Sequence, residues 1–287
     1  MAWIGKLISF LDEKIRGRMD SVIGGSLMAA IAITVPVVLV YVLQRASSIS
    51  IILEVIVTAV ILKMCFASRS MGDHIIPILK AMKENNIEEA RRRLSMTVRR
   101  DTSVLDQGLI YSACIETISE GYVDGFLSPI LYYGIFGLLG AVAARVINTL
   151  DSMVGYRNEK YRKFGKSSAV ADTIMNFIPA RASAVFFCLS STPLRTSKIL
   201  KSVRIESRLT SSRNAGWPMS AMAIILGVRV EKRDHYVLNT TGREPGAEDV
   251  MRSLRIFQIS VLFGAVLSLI LSIIIAHLIL NYAGIFP

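Results

Sequence analysis

Cysteine and histidine are scarce in this chain of 287 residues, with three of each. Cys65, Cys114 and Cys188 stand far apart in apolar sequence without CxxC spacing. That excludes a disulfide framework or thiolate cluster and leaves buried structural thiols. His74, His235 and His277 form no HxxxH or HExxH pair, so any metal would be a hard cation on oxygen ligands. Charge is also sparse, at 19% of residues against 52% hydrophobic. There is no Walker A, Rossmann or nucleophile-elbow motif, no internal repeat and only weak strand signals. A cleavable signal peptide is not expected, because Lys6, Asp12, Glu13, Lys14, Arg16 and Arg18 precede the first apolar run.

What is present is long apolar runs. With a mean hydropathy of +0.50, the composition is that of a membrane protein. Val22 to Leu43 is a run of 22 residues without a charge, enough to cross hydrocarbon, with Pro36 as a kink site. Ile49–Ala67 follows after a short link and suggests a helical hairpin. Gly125–Ile147 and Gln258–Ala283 are further span-like runs, and Gly216–Val228 is short and apolar. Trp3 to Ile15 carries apolar residues at helical spacing, as an interfacial amphipathic helix would. Residues 84–95, ENNIEEARRRLS, read as a soluble helix in which Glu88 and Glu89 pair with Arg92 and Arg93. These features predict an all-α, polytopic membrane protein with about four to six inserted helices and polar loops, in one domain over residues 1–287.

The net charge is +11 and is concentrated in loops. Basic loops favour the cytoplasmic side, attract anionic lipid headgroups and suit an anionic substrate. Placing all of them on that side requires Val104–Tyr122 to insert as well, in a polar-faced hairpin with Gly125–Ile147. Nucleic-acid binding is not expected, since no recognition helix or aromatic interleaving accompanies the basic residues.

The polar residues inside apolar sequence carry the functional signal. Ionisable groups at mid-bilayer cost at least about 3 kcal/mol and mark functional cavities. Glu116, Glu120 and Asp124 lie at i, i+4 and i+8, on one face of a continuing helix, where a cation or basic partners must relieve their repulsion. A solvated acidic face is the plain alternative, but the intervening Cys114, Ile115, Ile118 and Val123 are apolar. Asn148 and Asp151 form a second oxygen-donor pair, otherwise readable as helix-end capping. Gly155, Tyr156 and Arg157 form a turn able to offer N–H groups and a guanidinium to phosphate. Asp172 and Asn176 share a helical face within Ala169–Ser191, an interrupted segment that reads as re-entrant. Arg181 there needs an anionic partner, either a substrate phosphate or one of these acids. Arg100 and Asp101 precede Thr102 and Ser103, any of which except the arginine could cap a helix. Ser212–Pro218 is a turn leading into an apolar helix whose N-terminus could hold an anion.

Five ordered blocks resemble the adenosylcobinamide-phosphate synthase family (CbiB/CobD). They are RRDTSVLD (Arg99–Asp106), ACIETISEGYVDGFLSPILYY (Ala113–Tyr133), NTLDSMVGYRNEKYRKFG (Asn148–Gly165), ADTIMNFIPAR (Ala171–Arg181) and SRNAGWPMSAMAIILGV (Ser212–Val228). Gly121, Thr173 and Arg213 stand where the family usually has Asn, Asp and Pro. Family members also usually begin with a further apolar segment upstream of the equivalent of Trp3.

The resemblance implies a multi-pass cell-membrane ligase with its site facing the cytoplasm. ATP and Mg²⁺ would drive amide formation between adenosylcobyric acid and an amino alcohol phosphate. Membrane lipid and other corrinoid-pathway membrane enzymes are the further partners implied. The catalytic set would be Glu116, Glu120, Asp124, Asp151 and Asp172, with Glu116, Glu120 and Asp151 on Mg²⁺. Arg100, Arg157 and Arg181 would hold phosphates, and Asn148, Tyr156, Asn176 and Asn214 would contact substrate. The same buried polar residues could instead serve a transporter or a non-catalytic scaffold.

Overall fold

The computed structural model describes residues 2–66, 68–156 and 158–282. In chain order the helices are α1 (Ala2–Leu11), α2 (Val22–Ser47), α3 (Ile51–Cys65), α4 (Ser68–Lys83), α5 (Ile87–Ser95) and α6 (Gln107–Tyr122). There follow α7 (Ser128–Val154), α8 (Lys166–Met175), α9 (Phe177–Ser191), α10 (Thr196–Glu206) and α11 (Gly216–Leu226). Two short strands, β1 (Val230–Lys232) and β2 (Tyr236–Leu238), precede the long α12 (Ala247–Tyr282).

The molecule is an all-α polytopic membrane protein. Among the described residues three helical stretches are long and apolar enough to cross a membrane: α2, the run Gln107–Val154, and α12. A fourth results if α8 and α9 count as one broken span. Ile23 on α2, Ile51 on α3 and Leu262 on α12 are exposed, among many apolar side chains on these helices that a water-soluble fold would bury.

Contacts divide the chain into two compact units. One comprises Met1–Phe66, Ser128–Asn176 and Ala265–Pro287; the other comprises Ala67–Leu127 and Phe177–Gly264.

In the first unit α2 packs on α7, α3 and α8. Ile4, Ile8 and Leu11 of α1 are buried in its core with Met28, Ala32, Val146 and Leu150. The N-terminal stripe therefore packs on protein instead of forming a free interfacial face, because α2 and α7 offer it a complementary apolar surface. Ser21 caps α2 by accepting from Gly24 N–H at 3.1 Å. Gly25 lets α2 approach the chain at Phe164, whose carbonyl oxygen lies 1.8 Å from where a Cβ would stand.

The expected reversal after residue 124 lies further on. The chain passes from α6 through a π-helical turn, Val123–Leu127, straight into α7. Gly137 then breaks α7, with φ 64° and ψ −154°, a region open essentially to glycine. A Cβ on Gly140 would stand 2.4 Å from the carbonyl oxygen of Tyr132, eight residues earlier, where a straight helix would separate them by about 12 Å. The chain folds back at Gly137. Beyond it α7 runs to Val154, so Asn148 and Asp151 lie on its last turns.

In the second unit α5 is capped by Asn86, which accepts from Glu89 N–H at 3.0 Å. The expected ion pairs form with a shifted register: Glu88 meets Arg91, while Glu89 holds both Arg92 and Arg93. Asp106, and not Asp101, Thr102 or Ser103, caps α6 by accepting from Leu109 N–H. Asp101 instead accepts from the backbone and hydroxyl of Ser103. Tyr122 anchors the lower part of α6: its ring meets Phe187 and Phe257, and its hydroxyl donates to the Ser260 carbonyl at 2.6 Å.

The β-hairpin was not legible as strand. Its antiparallel register pairs Val230 with Leu238 and Lys232 with Tyr236. Side chains two apart share a face of a strand, so Lys232 and Tyr236 project on the same side as buried Val230 and Leu238. Ser112 of α6 bonds Glu231 of β1, donating to its carbonyl and accepting from its N–H.

Candidate functional site

The acids of α6 meet basic partners from outside the helix. Glu116 is buried, with 6% of its surface exposed, and accepts from Arg100 Nη2 at 3.2 Å. Arg100 is held in the segment leading to α6, next to Thr102, whose hydroxyl donates to the Arg91 carbonyl. The Nε of Arg100 is buried and finds no hydrogen-bond partner among the described residues. One turn on, Glu120 lies in the field of Glu116, Lys232 and Arg100.

Tyr236 closes this group. Burial first, then the negative charge of Glu116 and Glu120, holds its phenol well above the ordinary tyrosine range. Its hydroxyl contacts Met219 Sδ at 3.5 Å. Two carboxylates, a guanidinium and an ammonium thus form a nearly neutral, partly desolvated cluster with one unfilled donor. Lys232 and Tyr236 were missed from sequence, because only the hairpin's docking on Ser112 brings them to α6.

A second group surrounds Arg181. Its Nη1 donates to Asn214 Oδ1 at 2.9 Å and to the Phe177 carbonyl at 2.8 Å, and its Nη2 donates to the Arg213 carbonyl at 3.4 Å. The guanidinium lies 3.6 Å from the Phe177 ring centre and 5.0 Å from that of Trp217. The structure thus answers the question of Arg181's partner with a carboxamide, carbonyls and aromatic faces, among the described residues, in place of a carboxylate. The turn before α11 forms as expected, with Ser212 Oγ accepting from Asn214 and Ala215 N–H.

Of the other expected residues, Asn148, Asp151, Tyr156, Asp172 and Asn176 belong to the first unit. Asn176 is buried and bridges Asp172, through Nδ2 at 2.9 Å, and Ser128, whose hydroxyl donates to Asn176 Oδ1. Asp172 and Asn176 therefore do share a face. Asn148 and Asp151 are half-buried on the last turns of α7. Gly155 N–H is taken by the Asp151 carbonyl at 2.9 Å, so it is not available to an anion as expected. Tyr156 donates to the Ser152 carbonyl, and Arg157 lies outside the described residues.

Asp124 sits half-buried in the π-helical turn. Among the described residues no three acidic, imidazole or thiol side chains come together to hold a metal ion. Mg²⁺ often takes one or two carboxylates and completes its shell with substrate phosphates and water. Glu116 and Glu120 fit that mode and not an all-protein cage.

Two of the three positions that depart from the family pattern have local accounts. A Cβ on Gly121 would meet the terminal methyl of Met71 at 2.0 Å, a flexible group that can move. Thr173 donates to the Ala169 carbonyl at 2.7 Å, which a carboxylate would not do.

Comparison with known proteins bears on this arrangement. The profile of a family described as "CobD/Cbib protein" matches residues 1–263. A protein of Thermoplasma volcanium named "Probable cobalamin biosynthesis protein CobD" is 42% identical over 257 residues, covering 89% of this chain and 84% of the relative. One of the same name from Pyrococcus abyssi is 35% identical over 282 residues, 98% of this chain and 91% of the relative. "Cobalamin biosynthesis protein CobD" of Rhodobacter capsulatus is 34% identical over 269 residues, 90% and 84% respectively. No solved structure matches the chain.

Proposed function

Because this chain belongs to the CobD/CbiB family, we propose that it acts in cobalamin biosynthesis as a ligase, joining adenosylcobyric acid to an amino alcohol phosphate with ATP. The observation that carries this reading is the buried Glu116–Arg100 pair with Glu120 and Lys232 beside it. Amide formation from a carboxylate requires activation. The substrate carboxylate attacks the terminal phosphorus of ATP, ADP departs, and the amine then displaces phosphate from the acyl carbon while losing a proton.

Each part of the cluster has a task in that sequence. Arg100, with its unfilled Nε donor, binds an anionic oxygen of the carboxylate or phosphoryl group. Lys232 adds a second cation where negative charge accumulates. Glu120 attracts the substrate ammonium and takes its proton, as a partly desolvated carboxylate is suited to do. Tyr236 stays protonated and orients substrate. Glu116 and Glu120 would hold Mg²⁺, which would supply charge neutralisation during transfer. The basic loops favour a cytoplasmic site, where ATP is available.

The test is an assay of purified protein in detergent or nanodiscs with ATP, Mg²⁺, adenosylcobyric acid and several amino alcohol phosphates. The expected result is ADP release that requires both other substrates and matches amide formation, with Glu116→Gln and Glu120→Gln slowing it at least about a hundredfold. ATP-independent flux across vesicles, or wild-type turnover in both variants, would overturn the reading.

A further inference from the structure

A cavity of about 390 Å³ opens beside the Arg181 group, and its wall carries Arg181, Arg204, Arg208, Arg213 and Trp217. Gly216 makes this convergence possible. A Cβ there would stand 2.3 Å from the Ser207 carbonyl oxygen and 2.7 Å from Thr210 Oγ1. Without that atom the turn after α10, which carries Arg208, packs on the start of α11, and Arg204, Arg208 and Arg213 line the same cavity. Thr210 locks the turn by donating to the Ser207 and Ser212 carbonyls.

The charge of this cavity is unbalanced. Among the described residues no carboxylate lies within ion-pair distance of any of the four arginines, whereas Arg16, Arg91, Arg100 and Arg243 all have one. Arg181 is fixed by its bonds to Asn214 and two carbonyls and by the flanking rings. Arg204, Arg208 and Arg213 are exposed and free to turn inward. Four guanidiniums around one space repel one another until an anion enters, and their planar forks match phosphoryl oxygens in pairs.

The geometry points to this cavity as the seat of a polyphosphate chain, such as that of a nucleoside triphosphate. The choice among phosphate ligands rests on the proposed ligase reading and on charge. An amino alcohol phosphate carries an ammonium group, which a wall of four guanidiniums repels and which the Glu116–Glu120 cluster accepts. A polyphosphate carries several negative charges and no cation. Lipid headgroups offer the same phosphoryl chemistry in a different form, so the two sources are separated in the test.

Trp217 is a built-in reporter, since the chain has only one other tryptophan, Trp3. The full chain carrying Trp3→Phe is placed in nanodiscs of zwitterionic lipid and titrated with inorganic triphosphate, inorganic phosphate and ATP. Triphosphate and ATP are expected to change Trp217 fluorescence with similar affinity, and inorganic phosphate to bind at least about tenfold more weakly. Arg204→Ala and Arg208→Ala are each expected to weaken triphosphate about tenfold, with partial recovery in the lysine variants. Fluorescence that ignores triphosphate, or affinity unchanged in the alanine variants, overturns the proposal. So does a response to nanodiscs containing phosphatidylglycerol that triphosphate cannot compete away, which would assign the cavity to lipid.

Binding is read without corrinoid or amine and is independent of ligation. If triphosphate binds here but no amide forms with the full substrate set, the ligase reading fails and the site stands. If ligation proceeds and Arg204→Ala/Arg208→Ala keeps the wild-type KM for ATP, the site fails and the ligase reading stands.

Discussion

Ser112 holds both backbone polar groups of Glu231, accepting from its N–H at 2.7 Å and donating to its carbonyl at 3.0 Å. This single hydroxyl docks the β-hairpin on α6 and thereby delivers Lys232 and Tyr236 to Glu116 and Glu120. Ser112→Ala leaves a buried N–H without its acceptor and is expected to cost about 1–3 kcal/mol. Activity should fall more than stability explains, because two site residues lose their support. Unfolding by denaturant and a parallel turnover assay check this, and normal turnover in a folded variant refutes it.

Arg100 and Glu116 form the largely buried ion pair of the site, with side-chain exposures of 15% and 8%. Removing one partner of such a pair strands the other charge. Glu116→Leu is expected to destabilise by about 3 kcal/mol, while R100M/E116L together recovers most of that loss. Both variants should be inactive. A double-mutant cycle of unfolding free energies measures the coupling, and simple additivity would contradict the pairing.

Glu89 is the clearest acid-sensitive group outside the membrane. Its hydrogen bond to Arg92, then the charges and bonds of Arg92 and Arg93, lower its carboxyl from 4.5 to about 2. A folded value below the unfolded one adds stability that is fully present above about 4.5 and disappears as pH falls toward 2. The stability gap between wild type and Glu89→Gln should therefore shrink across that interval, and salt should shrink it at neutral pH. Melting temperatures of the two proteins over an acid series check it; a gap constant with pH excludes the mechanism.

Two glycines should differ sharply in tolerance. At Gly137 the space around a Cβ is open, so Gly137→Ala carries only backbone strain of about 1–3 kcal/mol. At Gly25 the added carbon would stand 1.8 Å from the Phe164 carbonyl oxygen, a backbone atom that cannot rotate away. Gly25→Ala should abolish the monodisperse detergent-solubilised form while Gly137→Ala retains it. Size-exclusion profiles of the two variants decide the ranking.

Apolar run length made α2 and α12 legible, because a stretch without charges that exceeds the hydrocarbon thickness has few other fates. The pairing of α5 was legible in its spacing, although Glu88 chose Arg91 over Arg92, since i+3 and i+4 neighbours are near-equivalent on a helix surface. The helix reversal was expected in the right part of the chain but placed a dozen residues early. The hairpin was expected to turn between Tyr122 and Gly125, yet a π-helical turn carries the chain through, and the backbone reverses where Gly137 takes its positive φ. The burial of Glu116 and the need for a cation near it were also legible, as were the shared face of Asp172 and Asn176 and the turn before α11.

By itself, then, the sequence determined that this is an all-α membrane protein with acids embedded in apolar helix, because hydrophobicity and helical period act locally and survive any packing. Tertiary structure alone decided which cations answer those acids. Arg100 reaches Glu116 from 16 residues away, and Ser112 holds Glu231 across 119. Arg204, Arg208 and Arg213 line one cavity where Gly216 lets the turn after α10 pack on α11. Such contacts depend on loop closure and close backbone approach, which no local pattern records.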